Sequence, residues 1–215
     1  MRSIGHIPRF CLLLLVSALL GAGGCANDNS GQSTAPAVVE TAGPLTAYSS
    51  GLVDLDGKRV DLRAKQPSPI TVVVFTRTDC PISNRFAPDI RRLYETYHSQ
   101  GVEFFLVYVD PHEQPEAIHR HLQEYRYPCQ GLRDPKHTLV AQCGATITPE
   151  AVVFDRNSEM VYLGRINDLY VRLGQARNSP TTRDLDDAIE ATVQGKRVAT
   201  PRTAAVGCVI ADLDR

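Results

Sequence analysis

Residues Ile70–Phe86 read ITVVVFTRTDCPISNRF. Ile70 to Phe75 is an unbroken β-branched and aromatic run, the pattern of a strand buried on both faces of a sheet, where neither face calls for a polar residue. Beyond it, Phe86, Ile90, Leu93, Tyr94 and Tyr97 recur at helical spacing. A helix is therefore expected over Ser83–His98, with Ser83 or Asn84 as its cap and Pro88 as a kink. Cys80 falls in the turn between the two elements. Free backbone N–H groups and the helix dipole favour an anion there, so a thiolate at Cys80 is the first chemical expectation.

Working outward, a second buried run, Val102–Val109 (VEFFLVYV), precedes a helical stripe of Ile118, Leu122 and Tyr125 that stops before Pro128. Upstream, Leu52–Leu62 (LVDLDGKRVDL) alternates around Asp56-Gly57, a hairpin signal. Downstream, a short helix is expected over Asp134–Cys143 and a strand over Glu150–Phe154. Met160–Ile166 pairs with that strand as a hairpin around Asp155-Arg156-Asn157, and a last helix, Thr182–Gln194, closes at Gly195. The order predicts an α/β fold: a mixed central sheet flanked by helices, with an N-terminal β-hairpin and an extended C-terminal tail.

The chain has 215 residues, 43% hydrophobic and 22% charged, with a formal net charge of -1. That composition suits one globular domain and argues against nucleic acid as a partner. Arg2, His6 and Arg9 precede an apolar run, Phe10–Leu20, and the small residues Gly21, Ala22, Gly23 and Gly24 lead to Cys25. The run is too short to span a bilayer and reads as a secretory leader. The arrangement resembles a bacterial lipoprotein signal, which implies lipidation of Cys25 and a membrane-anchored protein of the cell envelope, facing the periplasm or exterior. The expected organisation is a signal peptide over 1–24, a lipidated cysteine and flexible tether over 25–44, a folded domain over 45–200, and a tail over 201–215 that carries Cys208. Four cysteines then lie outside the reducing cytosol: Cys80, Cys129, Cys143 and Cys208.

Far from Cys80, Gly144–Phe154 (GATITPEAVVF) places Thr148-Pro149 directly before a buried strand. With a cysteine after the first central strand, this order resembles the thioredoxin-like fold superfamily. The C-P-x-x-N loop (Cys80–Asn84), T-P-E (Thr148–Glu150), G-R-I-x-D (Gly164–Asp168) and A-V-G-C (Ala205–Cys208) are similar to bacterial redoxin-domain lipoproteins of AhpC/TSA- and TlpA-like type. The resemblance implies a reactive Cys80, with Pro149 in a cis bond opposite it. It also implies a substrate surface of Pro81, Asn84, Thr148 and Pro149, in which Thr148 offers backbone groups to an extended substrate.

The departures shape the functional expectation. Ser83 stands where thioredoxins carry their second cysteine, so no local disulfide forms. Arg77 and Val73 replace the threonine or serine and the proline of peroxiredoxins, which argues against typical peroxidase activity. Asn84 replaces the second loop cysteine of SCO copper chaperones. The leading expectation is a cell-envelope thiol-disulfide oxidoreductase that needs no cofactor and acts on protein or small-molecule disulfides and thiols. Cys80 is the nucleophile and Cys208 a distant resolving thiol, with Cys129 as second choice. Two alternatives stay open: copper(I) held by Cys80, Cys208 and one histidine, and a non-catalytic peptide-binding domain. Cys129 and Cys143 are expected as buried thiols, and His112, His119, His121 and His137 as exposed side chains. Arg165 and Asp168 are expected either in a structural ion pair or as an anion site.

Overall fold

The computed structural model describes residues 51–63 and 69–211. The expected leader over 1–24, the lipidation expected at Cys25 and the expected tether to residue 44 lie outside these residues. Among the described residues, no helix is long and apolar enough to cross a membrane.

The chain runs β1 (Ile70–Thr76), α1 (Pro81–Arg85), α2 (Ala87–Tyr97), β2 (Val102–Tyr108), α3 (Pro115–Glu124), β3 (Gln130–Arg133), α4 (Thr138–Cys143) and β4 (Ile147–Thr148). It continues through β5 (Glu150–Phe154), β6 (Met160–Gly164), β7 (Tyr170–Arg172), β8 (Gln175–Ala176), α5 (Asp184–Val193) and β9 (Cys208–Val209). The central sheet has the order β3-β2-β1-β5-β6. Its β1, β2 and β3 are parallel, while β5 is antiparallel to both β1 and β6, so the sheet is mixed as expected.

Alternation along β1 divides the core. Val72 and Val74 face Phe86, Ile90, Leu93, Ile118, Leu185 and Ile189, which belong to the face covered by α2, α3 and α5. Val73 and Phe75 face Leu52, Leu62, Leu139 and Val140 on the other side. Every β1 residue is buried, which is why the run tolerates no polar alternation. The N-terminal hairpin is reduced to a turn with one bridge, Val53 to Arg59, and Val53 also bridges Arg133 along the β3 edge. At the opposite edge, Leu163 of β6 bridges Arg202. Both outer strands of the sheet thus have a partner, which shields their unpaired backbone groups.

Two local expectations need correction, and one strand, β3, carries no expectation at all. The first long helix begins at Pro81, with Cys80 rather than Ser83 or Asn84 as its cap, and it breaks at Phe86 into α1 and α2. Pro88, which lacks an N–H, cannot bond back to Asn84 and so enforces the break. Strand β3 (QGLR) has no sequence signature of its own. It forms because β2 lends it a ladder, and because Gly131 lets α3 approach: a Cβ there would lie 3.0 Å from Leu122 Cδ1. The helix expected from Asp134 starts only at Thr138. Asp134, fully buried, caps it by accepting from the N–H groups of Thr138 (2.8 Å), Leu139 (2.8 Å) and Val140 (3.0 Å). Asp134→Ala leaves three N–H groups at the helix start without their acceptor, two of them buried, and the expected loss is about 3 kcal/mol, read as a lower urea midpoint at unchanged slope.

Candidate active site

Strand β1 delivers the chain into the turn Arg77–Asp79, and several contacts fix that turn. Glu113 Oε1 accepts from the N–H (2.6 Å) and hydroxyl (2.7 Å) of Thr78. Arg77 pairs with Asp79 at 2.9 Å and Asp110 at 3.3 Å. Cys80 follows as the N-cap of α1 in an extended conformation, with Pro81 at the first helical position, where its missing N–H costs nothing. The Cys80 carbonyl accepts from the Asn84 N–H (3.1 Å), which starts the helix.

Two distant segments meet at Cys80. The Thr148–Pro149 bond is cis, and the Thr148 carbonyl lies 3.3 Å from Cys80 Sγ and accepts from the neutral thiol. Strand β9 pairs antiparallel with β4, with Thr148 opposite Cys208 and Ile147 opposite Val209. That register sets Cys208 Sγ 2.6 Å from Cys80 Sγ, both thiols being free. Cys80 is only 1% exposed, whereas Cys208 is half-buried.

The electrostatics separate the two thiols. Burial pushes the Cys80 thiol up, but hydrogen bonds from Cys208, from the Ser83 hydroxyl and N–H and from the Thr148 hydroxyl outweigh it and hold Cys80 below the ordinary value. The bond to the Thr148 carbonyl belongs to the neutral form and is given up on ionisation, when those donors turn to the sulfur. Ser83 Oγ is buried with no partner at ordinary hydrogen-bond geometry while Cys80 is a thiol, so its hydroxyl is available to the thiolate. Cys208 moves the other way. Burial, its hydrogen bond to Cys80 and repulsion by the Cys80 thiolate push it up to about 11. The two thiols are thus biased in opposite directions, Cys80 toward the thiolate and Cys208 toward the thiol.

A second network reaches the same turn from behind. Asn84 Nδ2 donates to the Thr78 carbonyl (3.0 Å), and Asn84 Oδ1 lies 2.8 Å from His121 Nε2. His121 Nδ1 lies 2.8 Å from the Tyr108 hydroxyl. Burial holds His121 down at about 4, so the ring is neutral at physiological pH. Tyr108, whose ionisation burial opposes, is the donor to Nδ1, which leaves Nε2–H to donate to Asn84. The expectation of an exposed His121 is therefore corrected: it is 4% exposed and lies between Tyr108, Tyr125 and Tyr127. A signal existed in the sequence, since His121 lies three residues after Ile118 and four before Tyr125, on the buried stripe of α3. Asn84, expected to face substrate, gives both amide atoms to this internal chain.

The remaining residues divide clearly. Pro81 is exposed beside Cys80, and Pro149 is buried. Cys129 is pushed by burial up to about 12, and Cys143 higher still by burial and the nearby Asp134 and Glu150 charges, so both are inert thiols. Arg165 pairs with Asp184 at 2.9 Å and Arg177 with Asp168 at 3.2 Å, the ion-pair alternative.

Because the thiolate is the reactive form, a lowered Cys80 value means that its alkylation rate rises at lower pH than that of Cys208, Cys129 or Cys143. Mass-resolved iodoacetamide labelling against pH is expected to show the Cys80 inflection at lower pH than those of Cys208, Cys129 and Cys143. His121→Ala removes the restraint on Asn84 and is expected to move the Cys80 inflection upward, with His121→Gln restoring part of the shift.

Residues 43–163 match the AhpC/TSA family, a span that holds Cys80, Thr148 and Pro149 but ends before Cys208. The thiol-disulfide oxidoreductase ResA of Halalkalibacterium halodurans is 25% identical over 153 residues, covering 71% of this chain and 82% of that protein. A hypothetical protein of Sinorhizobium meliloti superposes with a TM-score of 0.67 at 26% identity, over 76% of this chain and 91% of the other. An uncharacterized conserved protein from Geobacillus kaustophilus gives 0.64 at 24% identity, over 81% and 91%. With the family match running from before the N-terminal turn into β6, across the central strand, the Cys80 turn and the cis-proline, the chain belongs to the AhpC/TSA family and has a thioredoxin-like fold.

Proposed function

We propose that this chain is a thiol-disulfide oxidoreductase of the cell envelope in which Cys80 attacks and Cys208 resolves. The observation that carries the reading is the 2.6 Å approach of two free sulfurs whose thiols are biased in opposite directions. The likeness to an oxidoreductase of the ResA type supports it. The Cys80 thiolate attacks one sulfur of a substrate disulfide, forming a Cys80–substrate disulfide and expelling the other sulfur as a thiolate. That leaving thiolate takes its proton from solvent, and the Cys208 thiol gives its own proton to solvent before it attacks. Cys208 then attacks Cys80 Sγ, closing a Cys80–Cys208 disulfide and releasing the second substrate thiolate. The substrate gains two electrons and the protein's two thiols lose them. In the reverse direction, the oxidised pair accepts electrons from an external dithiol.

Substrate contact is assigned to Pro81, Thr148 and Pro149 around Cys80, with Asn84 acting through the Cys80 turn. The copper reading required a histidine beside the two thiols. Among the described residues no group of three or more His, Cys, Asp or Glu side chains is gathered to hold a metal, and His121 commits both ring nitrogens to Asn84 and Tyr108. In the Cys208→Ser protein, mixed disulfides with glutathione or a protein substrate are expected to accumulate on Cys80, while Cys80→Ser abolishes both the adducts and reduction of a model disulfide. Intact reduction by Cys80→Ser overturns the reading.

Export belongs to the same proposal, with the leader over 1–24, lipid on Cys25, a tether to residue 44, the domain over 45–200 and the tail beyond. Cys25→Ala is expected to release the protein from membranes on fractionation. Unchanged retention, with no lipid on the N-terminal peptide, counts against the anchor.

A further inference from the structure

The tail is fastened at two places. Pro201–Thr203 lies along β6: Leu163 N–H donates to the Pro201 carbonyl (3.0 Å) and Thr203 N–H to the Leu163 carbonyl (3.2 Å). The Thr203 hydroxyl contacts Tyr162 Oη (2.7 Å) and accepts from the Arg165 N–H (3.0 Å). Further on, β9 pairs with β4 through only two residues on each strand, extended by Ile210 N–H to the Thr146 carbonyl (2.9 Å). Ala204–Gly207 joins the two attachments. With β9 seated, Cys80 is 1% exposed, so an external disulfide reaches it only when β9 leaves. Its departure bares the backbone groups of β4, an edge that an extended polypeptide fills by strand addition.

The seated tail also shows what that edge accepts. Gly207 lies so close that a Cβ would stand 2.0 Å from the Thr148 carbonyl oxygen and 2.7 Å from its carbon, so a side chain at this position unseats the strand. Cys208 follows, opposite Thr148 and against Cys80. Val209 is 69% exposed and carries no requirement. Ile210 packs against the core face that holds Val140, Cys143 and Ala145.

We propose that β9 is a tethered stand-in for the substrate: the partner of this site is an extended polypeptide strand bearing glycine, a disulfide-bonded cysteine, any residue and then an aliphatic residue, which displaces the tail from β4. The inference rests on the Cys80 chemistry proposed above and names its substrate class. Cys80 attacks the partner's cysteine sulfur and expels the group bonded to it as a thiolate. When β9 returns, Cys208 attacks Cys80 Sγ and the partner's cysteine leaves as a thiolate. Resolution and release are one event, because both strands compete for the same edge.

The test uses the full-length Cys208→Ser protein and the hexapeptide Ala-Val-Gly-Cys-Val-Ile carrying thionitrobenzoate on its cysteine, with thionitrobenzoate release as the readout. It is expected to react about tenfold or more faster than Ala-Val-Val-Cys-Val-Ile or Ala-Val-Gly-Cys-Val-Asp, the scale on which a shaped subsite discriminates. Adding Gly207→Val is expected to raise the rate with the parent peptide by a comparable factor, since the competent, tail-free state no longer has to be drawn from a minor population. The peptide comparison stands without that variant. Equal rates for all three peptides, with normal reaction of the small disulfide dithionitrobenzoate, overturn this inference and leave the oxidoreductase reading in place. A Cys80 that reacts with neither the peptides nor the small disulfide overturns both.

Discussion

The pairing of β9 with β4 is the contact on which the site depends. Two residues on each strand, with Thr148 opposite Cys208, bring a thiol across 128 positions of sequence to the mouth of α1. Without it, Cys80 is a lone cysteine at a helix start, with Ser83 where the fold elsewhere carries a second thiol. A partner one turn away is held by its own helix. A partner on the tail is held by a strand that the sheet does not need. The sheet is complete without β9, since β3 and β6 are its outer strands and both are paired by other segments.

Opposing forces act on Cys80. Burial disfavours its thiolate, and the donors gathered around the sulfur favour it. The donors win because they converge from three elements: Cys208 from β9, the Ser83 N–H and hydroxyl from α1, and the Thr148 hydroxyl from β4. Ser83 therefore does more than fill the place of a missing cysteine. Its hydroxyl is available to a Cys80 thiolate and cannot be oxidised into a disulfide, which leaves Cys208 as the thiol within reach of Cys80 among the described residues.

Much of this was legible from runs of residue type. β1, β2 and β5 announced themselves as runs dominated by β-branched and aromatic residues, the composition of strands in the middle of a sheet, and Glu150–Phe154 falls as read. The failures share a physical cause. β3, β4 and β9 are strands only because a neighbour pairs with them, and two to four residues carry no periodicity. The helix start was placed late because cap preferences favour Ser83 and Asn84, whereas Pro81, pre-set for the first helical position, marked the boundary. His121 was misread by weighing the residue type above its position on the α3 stripe. Asn84 was read as a surface group, because nothing in the local sequence reveals a partner 37 positions away.

The family match stops at residue 163, inside β6, and so separates two parts of the protein. Up to that point the chain carries Cys80, a cis-proline and the strand edge beside them, a frame in which the Cys80 turn is held by the sheet and by the Tyr108–His121–Asn84 chain. Beyond it, the tail brings the Cys208 thiol to Cys80 and at the same time pairs with that edge. On the mechanism proposed above, Cys208 cannot resolve while its strand is away, and the edge admits no partner while the strand is seated, so the order of events follows from mutual exclusion at Thr148. Gly207 is where the two demands meet, because the contact with the Thr148 carbonyl that requires glycine is also the contact that lets Cys208 reach Cys80.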